Sequence, residues 1–161
     1  MRGLKAVIAL AVLAVAIGGA EAKDERKTPY WASISAGQAL MRTGPGRNYP
    51  ATWLYRRSGL PVKVIETYPD WRKVQDPGGE TGWMLQRLLS DARTALVTGQ
   101  GPAAMHEKPD AQSRIAYQAE PGVVGRISKC GGGWCFFDVA GRKGYVQIGQ
   151  IWGVDAGEVV D

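Results

Sequence analysis

The chain has 161 residues, of which 20 are Lys or Arg and 15 are Asp or Glu, so its formal net charge at pH 7 is +5. That charge is too small to indicate a nucleic-acid partner by itself. Its 22 Gly and 9 Pro exceed the roughly 12% that average usage gives and exclude a helix bundle, while 45% apolar residues with six Trp exclude disorder.

The first 22 residues have the pattern of a signal peptide. Arg2 and Lys5 precede an unbroken apolar run over residues 6–17, and Ala20-Glu21-Ala22 is a small-x-small cleavage site. The run is shorter than the roughly 20 residues needed to cross a bilayer, and no Cys follows it to accept a lipid. We therefore predict a signal peptide over 1–22, a flexible segment over 23–29 and no transmembrane segment in the mature chain. The product is expected to be exported to the periplasm or secreted.

Short apolar segments separated by Gly, Pro, Asn and Asp predict strands in the first half of the mature chain. These predicted strands cover residues 30–34, 39–42, 52–55, 61–68, 71–75 and 81–84. Asp76-Pro77-Gly78-Gly79 predicts a hairpin turn between the last two, because Gly adopts the positive φ that such turns need. Residues 85–89 are too few for a stable helix and predict a single helical turn.

The second half of the mature chain repeats the first at an offset of 62 to 64 residues. Trp71 falls on Trp134, and Gly82-Trp83-Met84 falls on Gly144-Tyr145-Val146. The repeat predicts two units, which we place at 30–92 and 93–157, with a short tail at 158–161. Strand 94–97 is left open between them, since its offset aligns it with the first strand of unit one, whereas its position would let it close the first unit.

Export changes the interpretation of the two cysteines, because an oxidising compartment favours a disulfide between them. Cys130 and Cys135 flank Gly131-Gly132-Gly133-Trp134, a predicted tight turn between antiparallel strands. Facing residues of such strands have Cα atoms about 4.5 to 5.5 Å apart, within the range a disulfide accepts. We predict a Cys130–Cys135 disulfide, and a further hairpin turn over residues 140–144.

These segments resemble the bacterial SH3-like (SH3b) domains, in the tandem form found in exported proteins of Gram-negative bacteria. The resemblance implies an all-β protein of two tandem SH3-like small β-barrels after an N-terminal signal peptide. In the first unit it rests on Leu40-Met41-Arg42-Thr43-Gly44-Pro45-Gly46, Tyr49-Pro50, residues 53–62, Trp71-Arg72-Lys73-Val74 and Gly82-Trp83-Met84. In the second it rests on residues 120–125, 130–135 and Trp152-Gly153-Val154.

The second unit departs from the family pattern in one loop. Met105-His106-Glu107-Lys108-Pro109 stands where the family prefers a small residue, Gly and Pro after an Arg. The aromatics of the first unit near this loop also have no full counterpart in the second. If a family-like ligand groove is present, the first unit is therefore the better candidate.

The residue types offer little for catalysis. His106 is the only histidine, and a Cys-dependent cell-wall hydrolase would need a free thiol beside it. That enzyme stays as the alternative to a non-catalytic protein. No metal-ligand spacing occurs, so we expect neither a metal nor a cofactor.

Aromatic and basic residues of the first unit are the candidate ligand-binding residues. Aromatics present in both units, at positions 71 and 134 and at 83 and 145, are expected in the core. The candidates are instead Tyr49, Trp53, Tyr55 and Tyr68, with Arg42 and Arg72. Arg42 could also hold backbone carbonyls near Gly44 and Gly46, and the basic residues could simply form a solvated face.

We predict a non-catalytic, exported binding or scaffolding protein of the cell envelope. Its expected partner is a cell-wall peptide or glycan, or another envelope protein, and not nucleic acid. Barrels of this kind host unrelated binding activities, so the ligand and the oligomeric state are left open.

Overall fold

The computed structural model describes residues 26–161, so the predicted signal peptide lies outside the described residues. Strands dominate this part of the chain, joined by two short 3-10 turns, Gln86–Leu88 and Ile148–Gln150. The first seven strands are β1 (Tyr30–Ile34), β2 (Ala39–Arg42), β3 (Ala51–Tyr55), β4 (Pro61–Tyr68), β5 (Trp71–Gln75), β6 (Thr81–Leu85) and β7 (Leu89–Ser90). The next seven are β8 (Thr94–Val97), β9 (Ala103–His106), β10 (Ile115–Ala119), β11 (Val124–Gly131), β12 (Trp134–Val139), β13 (Arg142–Gln147) and β14 (Ile151–Trp152). Over residues 26–161, no helix is both long and apolar enough to span a membrane.

The strands form two seven-stranded antiparallel sheets with the same topology. Their orders are β3-β2-β6-β5-β4-β1-β7 and β10-β9-β13-β12-β11-β8-β14. Each position in the second order is occupied by the strand seven places later in the chain. The predicted all-β class and the predicted repeat are therefore confirmed. Strand β8, which the sequence left between the two units, pairs with β11 and β14 and lies in the second sheet.

Turns account for the few differences between predicted and observed elements. The helical turn expected within 85–89 is the 3-10 turn Gln86–Leu88. The hairpin between β12 and β13 turns at Ala140 and Gly141, both with positive φ, so it is shorter than the predicted 140–144 because β13 already begins at Arg142. Cys130 and Cys135 are joined across the β11–β12 hairpin, which confirms the predicted disulfide.

Each barrel has its own apolar core, formed by the inward face of its strands. The first core contains Ala32, Ile34, Ala39, Met41, Val62, Val64, Val74 and Met84. The second is larger and includes Met105, Phe137, Val146 and the disulfide. Each unit of about 60 residues buries a small core of its own, so the chain has two separate cores and not one shared core.

The aromatics shared by both units are not core residues as a set. Trp71 and Trp83 are buried, at 7% and 8% exposure, but strand register places them on the face opposite Val74 and Met84. Their counterparts in the second barrel, Trp134 and Tyr145, are only half-buried. The burial of Trp71 and Trp83 agrees with the expectation that the shared aromatics lie in the core, whereas Trp134 and Tyr145 are partly exposed and do not meet it.

The two barrels meet around Trp31. This side chain from β1 packs edge to face on Trp152 of β14, with ring centroids 4.7 Å apart. Its indole Nε1 donates to Asp155 Oδ2 at 3.0 Å. Lys63 Nζ lies 4.9 Å from the Trp31 ring and donates to Asp155 Oδ1 at 2.7 Å. Side chains of the first sheet are thus bonded directly to the segment that follows β14.

Candidate functional site

A groove lies on the surface of the first barrel and consists of two adjoining hollows of about 690 and 440 Å³. Arg47, Trp71, Leu85 and Arg87 line both hollows and mark their junction. We call this site the arginine groove. Its larger hollow is also lined by Tyr30, Asp70, Arg72 and Asp91, and its smaller hollow by Leu40, Arg42 and Leu54.

Strand alternation explains why the strand residues of the smaller hollow and of the junction face outward. In a β-strand, neighbouring side chains point to opposite faces of the sheet. Met41 lies in the first core, so its neighbours Leu40 and Arg42 point away from it. Leu40 is paired with Leu54 on β3, and Trp71 is paired with Leu85 across β5 and β6. These pairs form an apolar floor on the outside of the sheet.

The loop over residues 43–50 contributes Arg47 to the lining of the groove and is held by contacts from its own ends. Arg42 Nη1 donates to the carbonyl oxygen of Tyr49 at 2.7 Å. The Tyr49 ring lies against Gly44 and Gly46, and a Cβ at Gly44 would overlap that ring. Because the glycines let the ring approach the backbone, the loop folds back on itself and brings Arg47 to the junction of the two hollows.

The groove contains four arginines in two different states. Arg42 and Arg72 are bound to neutral groups: Arg72 Nη1 donates to the carbonyls of Tyr68 at 2.9 Å and Trp71 at 2.8 Å. Both therefore keep an uncompensated positive charge in a fixed position. Arg47 and Arg87 are exposed and have no hydrogen bond or ion pair with any residue over 26–161.

Two aspartates line the larger hollow and not the smaller one. Asp91 is paired with Arg26 at 3.0 Å, so much of its charge is already compensated. Asp70 is exposed and lies next to Trp71 in the chain. The smaller hollow has no acidic residue in its lining. Positive charge therefore dominates at the junction and over the smaller hollow.

The structure brings only part of the predicted ligand set to this groove. Arg42 and Arg72 line it, and Tyr49 shapes its loop. Trp53 and Tyr68 are exposed, at 53% and 54%, yet neither lines the groove. The Tyr68 ring instead packs against Trp83, with centroids 6.3 Å apart.

The contacts of Tyr55 are those of a residue that stabilises the fold. Its ring packs against the first core, and its hydroxyl donates to Asp76 Oδ2 at 2.9 Å. Burial raises the pKa of the Tyr55 phenol, and the adjacent Asp76 carboxylate raises it further. The hydroxyl therefore stays protonated and serves as a donor to the β5–β6 turn. The four predicted aromatics do not line one common groove, and ligand binding by them stays a prediction.

Sequence reasoning missed Arg47, Trp71 and Leu85 as groove residues, and it counted Arg87 only among the basic residues of the first unit that could face an anionic partner. Trp71 and Val74 are three positions apart on one strand, so they face opposite sides, and this parity could have shown that Trp71 does not share the face of Val74. No such signal exists for Arg47, because its position depends on how loop 43–50 folds.

The second barrel repeats the loop geometry but not the charges. His106 occupies the position of Arg42, and its Nδ1 lies 3.0 Å from the carbonyl oxygen of Ser113, the counterpart of Tyr49. At the repeat offsets, Ala111 stands in the place of Arg47 and Gly149 in the place of Arg87. The arginine groove is thus a feature of the first barrel.

The residues required by the hydrolase alternative have other contacts. The sulfurs of Cys130 and Cys135 are bonded to each other, and residues 26–161 contain no free cysteine. His106 is buried, and its ring packs edge to face on Trp134 at 5.2 Å. The same part of the chain has no group of three or more His, Cys, Asp or Glu side chains arranged to hold a metal ion.

Comparison with known proteins gives a family match and weak structural likenesses. The family model described as bacterial SH3 domain matches residues 35–91 and 99–153. The solved structure of NlpC2 from Trichomonas vaginalis is 14% identical, with a TM-score of 0.36, over 80% of this chain and 51% of that one. The NlpC/P60 family protein from Bacillus cereus is 14% identical, with a TM-score of 0.35, over 76% of this chain and 56% of that one.

The chain therefore spans about half the length of these solved structures, with coverage of 51% and 56%. At such TM-scores the likeness indicates nothing about a shared activity. A search of curated proteins gives no match.

Proposed function

Because the chain belongs to the bacterial SH3 domain family and carries two tandem copies of the domain, we propose that it is a non-catalytic binding protein of the cell envelope. Its first barrel holds a cell-wall ligand in the arginine groove. The observation that carries this proposal is the placement of two unpaired arginines, Arg47 and Arg87, beside Trp71 in a concave site.

The chemistry of the groove suits binding. Ligand sites are commonly concave, with an apolar lining and a few convergent polar groups, and have volumes of about 300 to 1,000 Å³. Trp71 and Leu85 supply apolar surface at the junction, and the arginines supply paired donors. Since Arg47 and Arg87 have no partner among residues 26–161, a ligand can bind them without breaking an existing contact.

The second barrel has a scaffolding role in this proposal. It lacks arginines equivalent to Arg47 and Arg87, having Ala111 and Gly149 at those positions. Its contribution is the contact through Trp152 and Asp155 to Trp31, which supports the first barrel. The disulfide across the second barrel supports an oxidising compartment, in keeping with export to the periplasm or beyond the cell.

Nothing in the described structure favours the hydrolase using a free thiol and His106. Its requirement is checked by counting alkylatable thiols in protein isolated from the exported fraction. Two reactive cysteines per chain would contradict the non-catalytic proposal and reinstate the enzyme.

The binding proposal is tested by cosedimentation with purified peptidoglycan sacculi from a Gram-negative bacterium. We expect the protein to be retained, and the double variant Arg47→Ala/Arg87→Ala to be retained less. The matched control is Arg56→Ala/Arg57→Ala, which also removes two exposed arginines that have no partner among residues 26–161 but do not line the groove. Retention no greater than that of an unrelated basic protein would refute the proposal.

A further inference from the structure

We propose that the group recognised in the arginine groove is the free carboxylate of a peptide, bound at the junction of the two hollows by Arg47 and Arg87. This inference rests on the proposed function and specifies its ligand. It distinguishes a peptide ligand from two other classes of ligand in the cell envelope, the neutral sugar chain and lipid phosphate.

The charges of the groove favour an anionic ligand. Arg47 and Arg87 line both hollows and have no partner among residues 26–161. Arg42 and Arg72 add positive charge that cannot turn away, because their guanidinium groups are bound to backbone carbonyls. Neutral sugar hydroxyls would leave these charges uncompensated. A carboxylate accepts paired hydrogen bonds from a guanidinium in a planar geometry and compensates its charge.

The smaller hollow favours a peptide over a phosphate group alone. Beyond the junction its lining includes Leu40 and Leu54, together with Leu88. A phosphate has no apolar part to cover these side chains. A peptide whose carboxylate lies at the junction places a neighbouring aliphatic side chain on them, so burial of apolar surface adds to the ion pair.

The larger hollow determines the direction in which the peptide lies. Asp70 and Asp91 line this hollow but not the smaller one, and Asp70 has no ion pair within residues 26–161. A second carboxylate placed beside Asp70 would be repelled by it, whereas the smaller hollow and the junction present no acidic side chain. The acidic end of the ligand is therefore held at Arg47 and Arg87, and the rest of the chain that continues past Trp71 is neutral or carries an amine.

The experiment compares native sacculi with sacculi whose free carboxylates have been converted to amides by a carbodiimide and ammonium chloride. Anionic phospholipid vesicles serve as the lipid probe. We expect apparent affinity for amidated sacculi to fall at least about tenfold, the loss that follows from removing one charge-assisted contact. Arg47→Ala/Arg87→Ala should lower affinity for native sacculi by a similar factor and make the protein insensitive to amidation.

The control Arg56→Ala/Arg57→Ala should bind both kinds of sacculi as the parent protein does, which separates the groove from a general effect of net charge. Melting temperatures of both variants are measured to confirm that each is folded. Retention on native and amidated sacculi alike would overturn this inference while leaving the proposed function standing. Retention on neither would overturn the proposed function, and binding to vesicles that exceeds binding to sacculi would assign the groove to lipid phosphate.

Discussion

Replacing Trp31 by alanine should uncouple the two barrels. Trp31 is only 7% exposed, packs on Trp152 at 4.7 Å and donates to Asp155 at 3.0 Å. These contacts join the first sheet to the second barrel, and each barrel of about 60 residues is near the size at which a core alone is marginal. We expect the intact protein to unfold in one transition and the variant in two.

The magnitude follows from what the substitution removes. Truncation of a buried Trp to Ala costs about 3 to 5 kcal/mol. Within this total, the hydrogen bond to the charged Asp155 accounts for about 1.5 to 3 kcal/mol. Trp31→Phe keeps an aromatic ring against Trp152 and loses only the indole donor, and Lys63 still pairs with Asp155. Trp31→Phe is therefore expected to lower the unfolding free energy by about 1.5 kcal/mol, the lower end of the range for that hydrogen bond.

Differential scanning calorimetry measures both the number of unfolding transitions and the loss of stability in each variant. The matched control is Trp53→Ala, which removes the same side chain from an exposed position of the first barrel and should cost less than about 1 kcal/mol. A single transition in Trp31→Ala, at the melting temperature of the parent protein, would refute the coupling. So would equal losses in Trp31→Ala and Trp53→Ala.

Burial raises the pKa of the Asp155 carboxyl, but hydrogen bonds from Lys63 and Trp31 and the charges of Lys63 and Arg93 outweigh it and hold this pKa below its ordinary value. A carboxyl with a lowered folded pKa stabilises the fold above its unfolded pKa. That contribution is lost as the pH falls through the lower folded value.

Three further predictions concern the disulfide, the first core and acid stability. Replacing Cys130 and Cys135 by serine should lower the unfolding free energy by about 2 kcal/mol, measured by urea denaturation under oxidising conditions, and an unchanged midpoint would contradict it. Tyr55→Phe should cost about 1 kcal/mol by removing the bond to Asp76 and leave sacculus binding unchanged, whereas a binding loss without a stability loss would return Tyr55 to the ligand set. Asp155→Asn should be less stable than the parent protein at pH 7, and the difference should shrink as the pH falls through the lowered folded pKa of the parent carboxyl, so a constant difference across acid titration would show that Asp155 does not contribute through its charge.

Much of the fold was predictable because its signals are local. The short strands and their turns follow from alternation and from Gly and Pro positions, and β4 and β5 begin and end where the pattern predicts. The repeat offset placed equivalent strands in both units before any contact was known. The Cys130–Cys135 disulfide could be predicted from the sequence because both residues flank one hairpin turn.

The site was predictable only in part, because a groove depends on which surfaces meet. Arg42 and Arg72 were identified from the charge of the first unit. Arg47 could not be identified, since it reaches the groove only when the Tyr49 ring packs on Gly44 and the Arg42 guanidinium holds the Tyr49 carbonyl.

The sequence by itself determined that this protein is a pair of all-β units, with a disulfide in the second, because hydrophobic alternation, turn residues and hairpin spacing act over a few neighbouring residues. Only the tertiary structure decided that the surface of the first barrel carries the concave charged site, with Trp71 as its floor and Arg47 and Arg87 at its junction. The same holds for the Trp31 contact between the barrels. Both depend on segments far apart in the chain approaching one another, and the free energy of those contacts is not encoded in any one segment.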